Sequence, residues 1–438
     1  MEGDGSDRTG AVLVGLPDFM VLAAAEVAGE VELLVETTVV EVGCPGCGVI
    51  AEGNGRRPVT VRDLPVAGRR TVLIWLKRLW RCRESACAVR SWSETSAQIR
   101  PRSALTERAR LAAMRRVQAE ETVAAVARDL QVGWHTVMRA VVDYGVPLVE
   151  DPDRLASVAA VGVDEHVWVH ASANRRTGYA TGIVDITPRR PARLLDVVPG
   201  RTGKVYADWI AEREAAWREH IRVAALDPFR GYATALATAL PGATRVLDAF
   251  HVVALANKMV DEVRQRIQQE TLGRRGHKGD PLYEIRRLLR RGIETLSDRA
   301  RRKIDIALQV GDPTYAITVA WAAAQQLRSI YHAPNPQVGR ARALTALTSL
   351  PDCPVPEVAR LGRTLRAWRT ELLAYFDTGG ASNGPTEAMN LLIEKRRRAA
   401  HGFRNFRNYR LRLLLAHGLP CQDQPTAQIR TRRPRFVA

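Results

Sequence analysis

The spacing of hydrophobic and polar positions changes several times along the chain, and each change marks a segment. The first thirty or so residues are acidic and irregular, which predicts a flexible N-terminus over 1–30. From Val31 to about Trp92, β-rich runs such as Thr71-Val-Leu-Ile-Trp-Leu-Lys-Arg-Leu-Trp80 predict a small β-module, bounded at 31–95. From Ser103 to Tyr144 the apolar spacing turns helical, giving a segment over 96–150. Residues 158–170 then read as a buried strand ending in charge, followed by β-runs at Thr177–Ile186 and Arg193–Val198. A helical stretch, Val205–His220, leads into strand-like runs at Ile221–Leu226 and Thr244–Leu247, with the helical Tyr232–Leu240 between them. That order is mixed α/β and bounds a core at 151–251. Val252 to Phe376 reads as amphipathic helix with polar breaks, an all-helical block assigned 252–380. A last helix begins near Pro385, within 381–420, and a basic tail covers 421–438. No internal repeat is visible. The expected class is multidomain α/β, as suits 438 residues, too many for one compact core.

Composition narrows the partners. Net charge is +18, and half of the excess lies in 381–438, where twelve Lys or Arg face three acids. Such a surplus points to a polyanion, because cations that neutralise phosphates release condensed counterions. No stretch offers the ~20 uncharged apolar residues of a membrane span. The apolar run from Ala11 to Ala28 is broken at Pro17-Asp18 and preceded by acids, unlike a secretory signal. A cytoplasmic, nucleoid-associated protein with no membrane partner is expected.

Four of the six cysteines form the pattern C-x2-C, gap, C-x4-C: Cys44, Cys47, Cys82 and Cys87. In a reducing compartment two thiolate pairs on tight turns suit a structural, tetrahedral Zn2+ better than disulfides, with unrelated free thiols as the alternative. Cys353 and Cys421 lack partners. Between Glu120 and Tyr144 two short helices joined at Gln131-Val-Gly133 fit a helix-turn-helix, with Ala125, Val126, Leu130, Val137 and Val141 inward. Trp134, His135, Thr136 and Arg139 would then be offered to DNA, although a generic helical hairpin shares the pattern. Arg100, Arg102, Arg108, Arg110, Arg115 and Arg116 upstream favour contact with the DNA backbone.

The candidate chemistry rests on carboxylates. Asp164 and Asp227 each follow an apolar run, and Glu387 opens the last helix after Ser382-Asn-Gly-Pro385. If the two strands are neighbours, both Asp side chains emerge near one end of the sheet, where Glu387 can join them. Shared carboxylates of this kind can hold two Mg2+ or Mn2+ ions for phosphoryl transfer. Singly, an Asp at a strand end is usually a cap. Asp248 and His251, a D-x2-H pair, are either a helix start beside a packed histidine or accessory members of the site, and Asp248 competes with Asp227 for the second metal-binding place. Gly200-Arg-Thr-Gly-Lys204 imitates a phosphate loop, but the spacing is short and Val205 replaces Ser or Thr, so no ATP site is expected.

These features in this order resemble the bacterial insertion-sequence transposases of the ISL3 family, from about Val31 to Leu419. The blocks V-G-V-D-E-H, L-D-P-F-R-G-Y and D-A-F-H-V match. The most specific block is S-N-G-x-x-E-x-x-N, which falls on Ser382, Asn383, Gly384, Glu387 and Asn390, followed by Gly402-Phe-Arg-Asn-Phe406. The resemblance implies a zinc ribbon, a helix-turn-helix and a ribonuclease-H-like catalytic sheet interrupted by a helical insertion, with Asp164, Asp227 and Glu387 as the catalytic triad of a DDE transposase. It implies strand cleavage at the element's ends and attack of the freed 3′-hydroxyl on target DNA, by at least a homodimer on DNA. Lys395, Arg396, Arg397, Arg398, Arg404 and Arg407 would line the approach to the metals. A non-catalytic zinc and helix-turn-helix regulator, or a structure-specific metal-dependent nuclease, remain alternatives.

Overall fold

The computed structural model describes residues 15–174 and 176–419; the basic tail at 421–438 and Cys421 lie outside them. The described chain falls into two compact units, one reaching to Asp151 and including Arg407–Ala416, the other built on Pro152–Phe406.

The first unit opens with a five-stranded sheet. Strands β1 (Phe19–Val27), β2 (Glu30–Thr37), β3 (Glu52–Val66) and β4 (Arg69–Arg81) lie in the order β1-β2-β4-β3, and the short β5 (Ser91–Ser93) pairs with β4. Phe19, Leu33, Val35, Val61, Leu73 and Trp75 form its core. The sequence reading placed 1–30 in a flexible N-terminus, yet Phe19–Val27 is a strand paired antiparallel with β2. Its signal is a turn at Ala28 and Gly29, both at positive φ, while its Ala-rich outer positions stay exposed and blur the alternation.

Three helices follow: α1 (Glu107–Gln118), α2 (Val123–Asp129) and α3 (Trp134–Val149). The hydroxyls of Thr106 and Thr122 cap α1 and α2, accepting from the Ala109 and Ala125 amides.

The second unit carries another five-stranded sheet: β6 (Ala160–Val169), β7 (Gly178–Asp185), β8 (Arg193–Pro199), β9 (Val223–Leu226) and β10 (Thr244–Leu247). Their spatial order is β10-β9-β6-β7-β8, with β6, β7 and β8 antiparallel and β9 and β10 parallel to β6. This is the ribonuclease-H-like arrangement. Helices α4 (Gly203–Ala211) and α5 (Ala215–His220) connect β8 to β9, and α6 (Arg230–Ala239) connects β9 to β10. The parallel order places the ends of β6 and β9 side by side, so residues leaving them share one edge.

After β10 the chain is helical: α7 (Ala249–Leu272), α8 (Pro281–Glu284), α9 (Asp298–Gly311), α10 (Ala316–Tyr331), α11 (Pro336–Ser349), α12 (Pro356–Ala367), α13 (Arg369–Asp377) and α14 (Gly384–Ala399). The sequence set off 252–380 as its own domain. Here those helices share one continuous apolar core with the sheet, from Val158 to Leu373. The reason is α7, which starts with only Asp248 between it and β10 and sends Val252, Ala256, Met259, Val263 and Ile267 into that core. The last helix, α15 (Phe406–His417), also departs from the expected 381–420 grouping, since Arg407–Ala416 belong to the first unit. There Leu415 and Leu411 pack on Gly145 of α3, where a Cβ would lie 2.8 Å from Leu415. Among the described residues no helix is long and apolar enough to cross a membrane.

Candidate active site and metal centre

The four cysteine sulfurs meet. Cys44 and Cys47 flank the turn before β3, Cys82 follows β4, and ligand atoms of Cys44, Cys47, Cys82 and Cys87 all lie within 4.8 Å of one another. Sulfur separations are 3.7 Å for Cys44 and Cys87 and 3.5 Å for Cys47 and Cys82. A tetrahedron with zinc–sulfur bonds of about 2.3 Å has edges of roughly 3.8 Å, so the residues fit a closed zinc site. The Gly46 amide donates to the Cys44 sulfur and the Glu84 amide to the Cys82 sulfur, both at 3.4 Å. Burial opposes ionisation of Cys44, but the Gly46 and Cys47 amides bring its thiol down to about 7. A Cβ on Gly46 would lie 2.9 Å from Val89 and 3.2 Å from the Cys87 sulfur, which accounts for glycine in the knuckle.

In the helical hairpin, Val126, Leu130, Val137 and Val141 are buried as expected, and Gln131 turns the chain at positive φ. Trp134, His135 and Arg139 are exposed, and Thr136 is half-buried. The upstream arginines differ from expectation. Arg108 binds Asp63, Arg110 is buried against Asp143, Arg100 binds Glu107 and Asp143, and Arg116 binds Glu121 and Asp129. Their charge is consumed inside the unit. Arg102 and Arg115 stay exposed.

The carboxylate site forms where β6, β9 and the N-terminal ends of α7 and α14 converge. Asp164 lies within β6, Asp227 follows β9, and Glu387 sits in the first turn of α14. His251 stands among them, its Nδ1 3.0 Å from Asp227, 3.1 Å from Asp248 and 3.6 Å from Glu387. Two asparagines hold the aspartates across long stretches of sequence. The Asn390 amide donates to Asp164 at 2.7 Å, and that of Asn383 donates to Asp227 at 3.2 Å and to the Val163 carbonyl at 3.0 Å. Asn383, Glu387 and Asn390 recur at helical spacing, so one face of α14 touches the whole site. Sequence reading matched both asparagines to a motif but gave them no role.

Gly162 sets the depth of this docking. A Cβ there would collide with the Thr386 hydroxyl and lie 2.6 Å from Asn383 Oδ1. Glycine is needed two residues before Asp164 for α14 to approach β6.

Asp248 fits its reading as a helix start beside a packed histidine. It is the N-cap of α7, accepting from the His251 backbone at 3.1 Å, and its other oxygen accepts from the Asn383 backbone at 2.7 Å. It is fully buried. Burial opposes its charge, but donors from His251 and Asn383 hold its carboxyl below the usual range.

Its neighbours go the other way. Burial and the Asp164 carboxylate push Asp227 up to about 7. Burial also raises Asp164, and burial with the charge of Asp248 raises Glu387, whose buried Oε1 accepts no hydrogen bond. The protein alone thus disfavours the charged form of all three carboxyls, although the neighbouring His251 offsets part of that cost. Oxygen donors with one imidazole beside them fit a hard divalent cation. Ligand atoms of Asp227, Asp248 and His251 lie within 4.8 Å of one another.

A cleft of about 600 Å3 opens over the aspartates, lined by Asp164, Asp227, Phe229, Tyr232, His251 and the Arg201–Gly203 turn. The phosphate-loop imitation is therefore part of its wall. Its glycines serve the backbone: Gly200 has φ +107°, and a Cβ on Gly203 would overlap the Gly231 carbonyl. Thr202 caps α4 through the Val205 amide.

The basic run after Glu387 differs from expectation in part. Lys395 is exposed, but Arg396 is buried, and both Arg397 and Arg398 bind Glu394 at 2.7 Å. The helical period turns every fourth residue of the run inward, so Arg396 serves the core. Arg404 and Arg407 are exposed.

Comparison with known proteins places this assembly. A family model described as transposase, of the ISL3 type, matches residues 161–413. The chain belongs to this family of transposases. Residues 41–87 match the zinc finger of the IS204/IS1001/IS1096/IS1165 transposases, and residues 94–145 match the helix-turn-helix domain of the ISL3 family. A relative, the transposase for insertion sequence element IS1001 of Bordetella parapertussis, is 27% identical over 288 residues. That match spans 63% of this chain and 65% of the relative, just under two thirds of its length. Among solved structures, the Drosophila P element transposase strand transfer complex shares 9% identity at a TM-score of 0.40, covering 70% of this chain and 91% of that one. A score that low carries no mechanistic weight.

Proposed function

We propose that this chain is the transposase of an insertion sequence, acting on cytoplasmic, nucleoid DNA by metal-dependent strand cleavage and 3′-hydroxyl transfer. The observation that carries the reading is that His251 lies within 3.6 Å of the carboxylates of both Asp227 and Glu387 and lines one cleft with Asp164 and Asp227, on a ribonuclease-H-like sheet. These three carboxylates would hold divalent cations, Mg2+ or Mn2+. When bound there, such ions would activate the attacking water or 3′-hydroxyl and stabilise the leaving oxygen.

The protein's own groups prepare that site. Asn390 and the Glu165 backbone amide hold the two oxygens of Asp164, and Asn383 holds one oxygen of Asp227, so both aspartates are fixed in the wall of the cleft. Asp248 is the positioning residue: it ties the start of α7, which carries His251, to the residue before α14, which carries Glu387. This favours Asp227 over Asp248 as the second metal-binding aspartate, because Asp227 lines the cleft whereas Asp248 is fully buried outside its lining, between the starts of α7 and α14. Recognition of the element's ends falls to the zinc ribbon and to Trp134, His135, Thr136 and Arg139. Exposed Lys395, Arg404 and Arg407 add contact with the DNA backbone. Pairing two ends requires at least two copies on DNA.

The test is cleavage of a duplex carrying the element's end, in Mg2+ or Mn2+, by the intact chain and by Glu387→Gln. Cleavage should fall at least roughly a thousandfold in the variant, several kcal/mol of lost transition-state stabilisation, with end binding retained. Equal cutting by both proteins would overturn the site. A pre-cut end with a free 3′-hydroxyl should be joined to a second duplex, which a simple nuclease would not do.

A further inference from the structure

The segment Asp227-Pro228-Phe229-Arg230 is a ridge with two sides. Asp227 and Phe229 line the carboxylate cleft. Pro228 and Arg230 line a second groove of about 480 Å3, whose opposite wall is the exposed face of α12 and the residue after it: Arg360, Arg363, Thr364 and Trp368. Three guanidinium groups thus share one concave surface. Only Arg360 has a carboxylate partner, Glu262, among the described ion pairs.

Arg230 is placed against the local electrostatics. It is the first residue of α6, where the helix dipole disfavours a cation, and the preceding Phe229 provides no side-chain cap. Its guanidinium lies instead over the Trp368 ring, 5.1 Å from the centroid. Arg363 is exposed on α12. Arg230 thus covers a core tryptophan with its charged face, and neither Arg230 nor Arg363 has a carboxylate partner among the described ion pairs, so the groove keeps their positive charge. A concave, one-signed surface focuses its field on a polyanion.

We infer that this groove binds the phosphodiester backbone of duplex DNA, on the strand that continues from the carboxylate cleft past the Asp227–Arg230 ridge. The inference rests on the proposed transposase reading for its choice of DNA as the polyanion. The lining offers guanidinium groups and one hydroxyl, which suits phosphate oxygens irrespective of sequence.

The experiment measures binding of the full chain to two labelled duplexes, one with the element's end and one unrelated, over a series of NaCl concentrations. In Arg230→Gln/Arg363→Gln the slope of log Kobs against log [NaCl] should be shallower by about 1.8 on both duplexes, two phosphates at ~0.9 each, with binding near 0.1 M salt weakened roughly tenfold or more. Arg299→Gln/Arg302→Gln, which removes the same charge from two exposed positions on α9, should keep the native slope. A double variant that keeps the native slope, or that changes no more than the α9 control, overturns the groove. If the double variant misfolds, Arg363→Gln alone should lose about 0.9 and Arg363→Lys should restore it. The slope is read without catalysis, so a chain that binds DNA but never cuts it would sink the transposase reading while leaving the groove to stand or fall by this measurement.

Discussion

The cysteine cluster and the carboxylate site are both places where like groups converge, and they are built in opposite ways. The cysteines come from two tight turns within one small sheet, and the sulfurs already lie at the spacing of a tetrahedron. Neighbouring amides stabilise them locally, as Gly46 does for Cys44. The carboxylates come from a strand, a strand end and a distant helix, and Asn390 must reach 226 positions back to hold Asp164. One site is fixed by local turns and the other by the docking of α14 on β6. A local site should fail by losing its ligand, and a docked site by losing its alignment.

The largest effect should follow from breaking the local site. Cys44→Ala is expected to abolish stoichiometric zinc and unfold the ribbon, because the binding free energy of a structural zinc site is folding free energy, on the order of 10 kcal/mol. Metal analysis and circular dichroism of the full chain would show it; native zinc content would refute the closed four-sulfur site.

Next comes the docking itself. Gly162→Ala puts a methyl group where Thr386 and Asn383 already sit, so α14 must retreat from β6. A stability loss of about 1–3 kcal/mol by thermal melting is expected, together with at least a hundredfold loss of cleavage from a misplaced Glu387. Full activity would mean that the helix docks with more freedom than this contact allows.

The smallest of the three is the removal of one alignment bond. Asn390→Ala frees Asp164 to change rotamer and should lower cleavage by roughly 10- to 100-fold, as second-layer changes around metal ligands do. The deficit should shrink as Mn2+ or Mg2+ is raised if Asn390 acts by orienting a ligand. A deficit independent of metal concentration would give Asn390 another role.

Much of the architecture was legible because it is written at short range. The alternation in Val161–Val169, the apolar run before Asp227 and the helical spacing around Val126 and Val137 each lie within one element. Strand β1 was missed for the same kind of reason, since its exposed alanines carry little polarity contrast. Arg396 was misjudged because a charge run shows its sign but not its face, and the same holds for Arg100, Arg108, Arg110 and Arg116, whose partners are mostly distant acids.

The sequence by itself determined the order of modules, the four cysteines and the candidate triad Asp164, Asp227 and Glu387, since residue type and local period are sufficient for each. Tertiary structure alone decided that Asn383 and Asn390 hold the aspartates, that Asp248 joins α7 to α14, and that Gly162 must lack a side chain. It also decided that Arg230 and Arg363 share a groove. These depend on groups more than a hundred positions apart meeting within hydrogen-bonding or van der Waals distance, and no local pattern encodes which partners the folded chain brings together.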